Sequence, residues 1–450
     1  MASQTLKQKT INSAIWTVLG YGSSQVLRFG ANLALARFLE PQYFGLMAVI
    51  NILLLGILLF SDIGIAQSIV NNPRGEERDF LDTAWTIQVL RGFLLWGIAL
   101  AMTIPAANFY QDSRLLWLLP IAGLTSIIEG FHTTRIHVAQ RTLDQRTYNL
   151  YELSTQGLYL AVLVTWAYLS PSIWALVGGS VIGALISLVG SYICFPGPRH
   201  RFRWEAKAVQ DLVSLGRWIF FATATMFAAE QADRLILAKL VDWRTIGVYS
   251  IAYNLSNLPR EMVKTFSYRV IYPAVVQTLD MPRPELRLKI MKQRRMLLGG
   301  SAVILAGLVT VGDLVISLLY NEKYEQAIWM MPLLCAGIWF SVLFYTISQV
   351  LLAIGKPMYS AQCNFVRFVL VAIGLPLGYY LGELPGAVLA ISLSDVPLYL
   401  TNLYGLQKEQ LSCIRQDLEF TGYFVALLVL CLGVRYALGY GYPIENLFLN

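Results

Sequence analysis

The chain has 450 residues, 56% of them hydrophobic and only 14% charged, with a mean hydropathy of +0.56. Soluble domains carry about 25% charge, so a soluble globular protein is excluded and a polytopic membrane protein is predicted. The net charge of +7 resides in loops between apolar runs and gives no support to a nucleic-acid partner.

Apolar runs of eighteen or more residues recur along the whole chain, long enough to cross roughly 30 Å of hydrocarbon as helices. They lack the alternating ten-residue segments of an outer-membrane barrel. The opening MASQTLKQKT is polar and no small-residue cleavage site closes the first run, which predicts a retained first span. Breaks at Pro, Gly and charged residues give thirteen predicted helices: 11–36, 43–70, 84–106, 115–139, 148–169, 173–195, 212–239, 246–276, 296–319, 327–354, 359–381, 385–406 and 420–438. The five cysteines fall in five separate segments without CxxC spacing, so neither a disulfide framework nor a metal site is expected. The three histidines form no i, i+4 pair and no HExxH, and no GxxxxGK[ST] loop is present, so no metal, no cofactor and no built-in ATPase are expected.

With a cytoplasmic N-terminus, nineteen Lys and Arg fall in inner loops and five in outer loops, which sets the orientation. The predicted organisation is an N-terminal lobe of six helices (1–195), a basic cytoplasmic linker (196–211, PGPRHRFRWEAKAVQD), a C-terminal lobe of six helices (212–406), and a cytoplasmic loop with a thirteenth helix (407–450).

The halves repeat. LALARFLEPQYFG (33–45) aligns without a gap on LILAKLVDWRTIG (235–247) at an offset of 202, which also sets Trp16 on Trp218. LLWLLP (115–120) aligns on AIWMMP (327–332) at 212, and Arg141 and Asn149 fall on Lys356 and Asn364 at 215. Six helices separate equivalent positions, so the repeats are parallel, a transporter architecture in which substrate is handled around a central cavity.

Ionisable residues inside the spans are the candidate functional groups, since each costs at least ~2.5–3.5 kcal/mol at mid-membrane. FAAEQADRLILAKL (227–240) carries Glu230, Asp233 and Arg234. Glu230 and Arg234 have the i, i+4 spacing of an intrahelical ion pair, and they equally fit the wall of a water-filled cavity. At offset 202, Glu230 is the counterpart of Arg28 and Lys264 of Asp62, so the halves carry opposite charges at matching places. The sequence leaves open whether these charges meet across a cavity or pair within each half. Arg260 and Lys264 follow Pro259, which predicts a kink. Asp62 is read either as a proton or cation site or as a helix-end cap. Glu129, His132 and Arg135 share one face of the fourth helix, and Arg91, Arg217 and Arg367 are read as interface anchors.

RFLEPQYFG (37–45) resembles the R-x-L-x-P-x-x-F-G signature of bacterial polysaccharide exporters. FSDIGIAQSIV (60–70) resembles their F-S-D-x-G-x-x-x-A-x-I stretch, and LPREMVKTFSYRVIYPAV (258–275) their L-P-R-E…V-x-F-P-A segment. On these residues the chain resembles the Wzx-like flippases of the multidrug/oligosaccharidyl-lipid/polysaccharide (MOP) superfamily, in particular the colanic-acid and teichuronic-acid exporter branch, over about residues 10–410. Ser68 and Tyr272 depart from the pattern. The resemblance implies an inner-membrane, multi-pass transporter of a polyprenyl-pyrophosphate-linked oligosaccharide. It would work by alternating access between two lobes for exopolysaccharide or lipopolysaccharide biosynthesis, as a monomer, with H+ or Na+ as candidate coupling ions. Arg28, Asp62, Glu230, Asp233, Arg234, Arg260 and Lys264 are then the expected cavity residues, and a guanidinium such as Arg28 suits a pyrophosphate in bidentate fashion. The alternatives are a peptidoglycan-precursor flippase and a cation-coupled drug exporter, with a membrane glycosyltransferase or polymerase as the enzyme reading. The short outer loops, with only Glu40 in the first, and the duplicated six-helix unit disfavour the enzyme.

Overall fold

The computed structural model describes residues 6–61, 64–142, 144–214 and 216–445, and among these it is all-helical, with no strand. The chain divides into two compact units, 1–43 with 49–224, and 44–48 with 225–450. The division falls at Ala224/Thr225, so the basic linker and the start of the seventh predicted span group with the first unit.

In the first unit α1 (Leu6–Phe38) is followed by α2 (Pro41–Phe60), α3 (Ile65–Asn71), α4 (Arg78–Tyr110), α5 (Leu115–Gly130), α6 (Arg135–Arg141), α7 (Gln145–Leu169), α8 (Ile173–Cys194) and α9 (Ala206–Ser214). The second predicted span is thus interrupted before α3, where Gly64 takes the left-handed conformation (φ 72°) that a side chain would resist. The fourth bends by 61° between α5 and α6. Packing of α7 on α8 sets aromatic rings over glycines, Tyr159 against Gly183 and Trp166 against Gly178.

The second unit contains α10 (Gly216–Leu240, from its Thr225 onward), α11 (Trp243–Ser256), α12 (Leu258–Phe266), α13 (Tyr272–Val276), α14 (Arg283–Leu319), α15 (Ala327–Ala353), α16 (Pro357–Leu393), α17 (Asp395–Lys408) and α18 (Ile414–Ala437). The kink expected at Pro259 is a break at Asn257, with Pro259 in the first turn of α12 where its missing N–H costs nothing. A π-helical turn, Ser267–Ile271, follows. The basic stretch before the ninth predicted span is helical as well, because Pro282 and Pro284 start α14 at Arg283 and nothing interrupts it before Leu319. Residues 359–381 and 385–406 are joined by a sharp reversal at Gly382 and Glu383 inside α16. Gly378 and Gly386 meet there backbone to backbone, with no room for a Cβ.

Element boundaries follow the repeat. α1 and α10 end, and α2 and α11 begin, at positions 202 residues apart, and α5 and α15 begin 212 apart. Asp242 caps α11 by accepting from the Thr245 amide at 2.9 Å, while α2 starts on Pro41. Gly45, grouped with the second unit, packs on its repeat counterpart Gly247, so close that a Cβ would lie 2.9 Å from the Gly247 amide.

Among the described residues, seven helical stretches are long and apolar enough to cross a membrane, eight if the bent α5–α6 pair is one span. The predicted spans outside that set are α1, α7, α10 and α11–α12, and these carry Arg28, Glu152, Glu230, Asp233, Arg234, Arg260 and Lys264. The predicted spans with the weakest lipid signature thus carry all of the expected cavity residues except Asp62.

Candidate functional site

In the first unit a cavity of about 650 Å³ opens between α1, α2, α5, α7 and α8. Its wall includes Arg28, Asn32, Asn51, Glu129, Glu152, Gln156 and Tyr159, with the hydroxyls of Thr125, Thr155, Ser180 and Ser187. One turn before Arg28, Ser24 Oγ donates to Gln156 Oε1 at 2.6 Å and Gln156 Nε2 donates back to the Ser24 carbonyl at 3.2 Å. This fixes α1 on α7. Tyr151 lies at 2.7 Å from Ser187 Oγ, tying α7 to α8. Arg28 itself is exposed to the cavity and makes no ion pair among the described residues. A guanidinium amid amides, hydroxyls, a phenol and the two carboxylates Glu129 and Glu152 can take a phosphate or carboxylate while its neighbours hydrogen-bond a hydroxyl-rich ligand.

Asp62, the repeat counterpart of Lys264, lies outside the described residues. Glu129 had been grouped with His132 and Arg135; the structure puts it in the cavity wall, whereas Arg135 turns away and donates to the Pro198 carbonyl at 2.8 Å. Glu152, Gln156 and Tyr159 were not singled out from the sequence, although polar residues spaced by three and four on one face of a span were the available signal.

The second unit holds most of the other candidate residues in a chain of mutual contacts. Glu230 pairs with Lys264 (Nζ to Oε1, 2.8 Å) and not with Arg234 of its own helix. Lys264 also lies 5.6 Å from the centre of the Tyr345 ring. Arg234 sits over Tyr253 at 4.3 Å and donates to Asn254 Oδ1 at 3.4 Å. Asp233 is buried and accepts from the Tyr249 hydroxyl at 2.9 Å, leaving its Oδ1 without a hydrogen-bond partner.

Arg260 is buried against Asp395, which also receives Ser341 Oγ and lies 3.0 Å from Arg367 Nε. Asp395 is 1% exposed and Arg367 6%, so one buried carboxylate bridges two guanidiniums. Arg367 is therefore no interface anchor: α16 turns it inward. Arg91 is also engaged internally, donating to the Leu58 carbonyl at 2.8 Å and to Ser61 Oγ at 3.0 Å; the Arg217 side chain lies outside those described. Asp395 was missed, although an acid in so apolar a run, two residues before Pro397, was a usable signal.

The linker is a fixed strap on the first unit. The His200 ring stacks on Trp85 with centroids 5.5 Å apart, its Nδ1 lies 3.0 Å from Asp82 Oδ1 and its Nε2 2.9 Å from Thr133 Oγ1. Burial holds its pKa below the ordinary histidine value, although Asp82 pulls the other way. The Arg203 amide donates to Thr86 Oγ1 at 3.0 Å, and its guanidinium pairs with Asp79 at 2.7 Å. Glu205 pairs with Arg74 at 2.8 Å, which holds its carboxyl below the usual range. Among the described residues no group of three or more His, Cys, Asp or Glu is placed to hold a metal.

The profile described as "Polysaccharide biosynthesis protein" matches residues 34–329. The chain is 23% identical over 407 residues to the lipopolysaccharide biosynthesis protein WzxC of Escherichia coli K12, covering 86% of this chain and 81% of WzxC. Its fold matches that of the lipid II flippase MurJ in an inward closed conformation, with a TM-score of 0.73 at 13% identity over 93% of this chain and 92% of MurJ. It also matches an inward-facing multidrug resistance transporter of the MATE family and MOP superfamily, with a TM-score of 0.59 at 11% identity over 88% and 94% of the two chains.

Proposed function

Because the chain belongs to the polysaccharide biosynthesis protein family, whose match covers residues 34–329, we propose that it flips a polyprenyl-pyrophosphate-linked oligosaccharide repeat unit across a bacterial cytoplasmic membrane. The coarser statement needs no proposal: this is a multi-pass helical member of the polysaccharide biosynthesis protein family with a fold like that of MOP-superfamily transporters. The finer reading has a cytoplasmic N-terminus, two six-helix lobes that alternate access, a monomer as the working form, and H+ or Na+ as the coupling ion. Export of the unit would feed exopolysaccharide or lipopolysaccharide assembly.

The observation that carries this reading is Arg28, without an ion-pair partner among the described residues, in a 650 Å³ cavity walled by amides, hydroxyls, a phenol and the carboxylates of Glu129 and Glu152. At Arg28 a pyrophosphate gains a bidentate partner that a cationic drug does not, and the sugars gain hydrogen bonds from the rest of the wall, including Glu129 and Glu152 as acceptors. A charge-assisted bond of this kind contributes ~1.5–3 kcal/mol, or roughly ten- to hundredfold in binding.

The test is flipping of a fluorescent polyprenyl-pyrophosphate glycan in proteoliposomes. Arg28→Ala should insert at wild-type abundance and flip at least about tenfold more slowly, with Arg28→Lys in between. Wild-type flipping by Arg28→Ala would sink the reading. Transport of lipid II in preference to other glycan-lipids would turn it toward the peptidoglycan precursor.

A further inference from the structure

The strap between α8 and α9 does more than connect. It is pinned along its length by Arg135 on Pro198, His200 on Asp82 and Thr133, Arg203 on Asp79 and Thr86, and Glu205 on Arg74. Farther on, Asn72 donates to Asp211 at 3.1 Å, and Ala208 and Leu212 are buried among Ile65, Ile69 and Phe80. A plain spacer needs none of this.

The large side chains left outward are cationic or aromatic. Arg199 and Arg201 are exposed and make no ion pair among the described residues, and Lys207 is exposed beside them. Phe202 is 68% exposed and Trp204 62%, large apolar areas to hold in water by rigid backbone. The nearby carboxylates do not neutralise the two arginines, because Asp79, Asp82 and Glu205 are already held by Arg203, His200 and Arg74.

Position in the fold names the occupant. The strap leaves α8 at Cys194 and lies on the first turns of α4, at Asp79, Asp82 and Thr86, so it runs where two membrane-spanning helices end. Tyr192 and Ile193 are exposed just before it. That is headgroup depth, where indole rings settle with one edge wet and one apolar. Guanidiniums there meet lipid phosphates, and a leaflet of anionic lipid attracts them. We propose that the strap is a binding element for anionic phospholipid headgroups, with Arg199 and Arg201 on the phosphates and Phe202 and Trp204 seated at the acyl boundary. The inner leaflet as its location rests on the orientation proposed above. The purified protein exposes the strap whichever way it inserts, so a failure of binding and a failure of orientation are read separately.

The test uses full-length protein extracted from mixed phosphatidylcholine and phosphatidylglycerol vesicles, with retained lipid counted by native mass spectrometry. Wild type should enrich phosphatidylglycerol over the vesicle composition, and Arg199→Gln with Arg201→Gln should cut that enrichment up to about tenfold. Arg415→Gln, an exposed cation elsewhere, should leave it unchanged. The Trp204 share of the fluorescence, wild type minus Trp204→Tyr, should be quenched more by dibrominated phosphatidylglycerol than by dibrominated phosphatidylcholine. Full enrichment in the double variant, equal loss in Arg415→Gln, or an unquenched Trp204 would each overturn the proposal. If the double variant does not fold, enrichment by wild type must fall with salt, and salt-independent enrichment overturns it too.

Discussion

Lys264 Nζ lies 2.8 Å from Glu230 Oε1 within the second unit. The charge at the repeat position of Asp62 thus pairs with the charge at the repeat position of Arg28, inside one half. Arg28, in contrast, carries no such partner among the described residues. Of these two related positions, one is held in an internal ion pair and the other lines a cavity, while Asp62, the counterpart of Lys264, lies outside the described residues. Both members of the pair are about a third exposed, at 33% and 28% of the side chain, so water moderates the penalty for breaking it. Glu230→Gln and Lys264→Met should each cost about 1–2 kcal/mol, read as a lower melting midpoint in detergent. The charge swap Glu230→Lys with Lys264→Glu should recover most of it. A swap no better than the single changes would mean that the contact contributes nothing.

Asp395 should behave far more severely. It is 1% exposed and is the shared partner of Arg260 and Arg367. Asp395→Asn leaves two buried guanidiniums without a counter-charge, a loss of at least ~3–5 kcal/mol. Membrane abundance of Asp395→Asn should collapse, while Arg28→Ala accumulates normally. Comparable abundance for the two would erase the distinction between a structural charge cluster and a binding residue.

The helices were legible in the sequence because apolar runs and Pro or Gly breaks are local signals; α8 and α15 fall within two residues of their expected bounds. The breaks at Asn257 and Gly64 were less visible, since a helix interruption inside an apolar run leaves hydropathy almost unchanged. The ionisable residues stood out for the same reason that the spans did, by their cost in lipid. Their partners did not. Whether Glu230 bonds Arg234 four residues on or Lys264 thirty-four residues on depends on how α10 and α12 pack, and spacing along one helix says nothing about that. Arg367 was misread because helix position alone cannot show that Asp395, from another helix, meets it.

The proposed orientation makes a direct prediction. The strap holding Arg201 contacts the first turns of α4 at Asp79, Asp82 and Thr86, and Ser113 follows the other end of α4 in the turn to α5. In a cysteine-free background, Arg201→Cys should resist an impermeant thiol reagent in intact cells and react after permeabilisation, whereas Ser113→Cys should react at once. The reverse pattern would invert the topology.

The last prediction concerns pH. His200 is 2% exposed at the side chain, and as the neutral ring it satisfies both neighbours: Nδ1–H donates to Asp82 and Nε2 accepts from Thr133. Its pKa is depressed in the folded protein because burial disfavours the imidazolium more than Asp82 favours it. As pH falls through the unfolded value of about 6.5, the unfolded chain takes up a proton that the folded chain still refuses, so stability drops. The contribution is complete above about pH 6.5 and is lost progressively toward the lower folded pKa. Wild-type melting midpoints should therefore decline between about pH 7 and 5.5 more steeply than those of His200→Gln, whose amide can donate to Asp82 and accept from Thr133 without titrating. The two curves should converge in slope above pH 7. Equal slopes throughout would show that folding leaves the His200 pKa unshifted, and a wild type that gains stability over His200→Gln as pH falls would show an imidazolium in the folded strap; either result would overturn the depressed pKa.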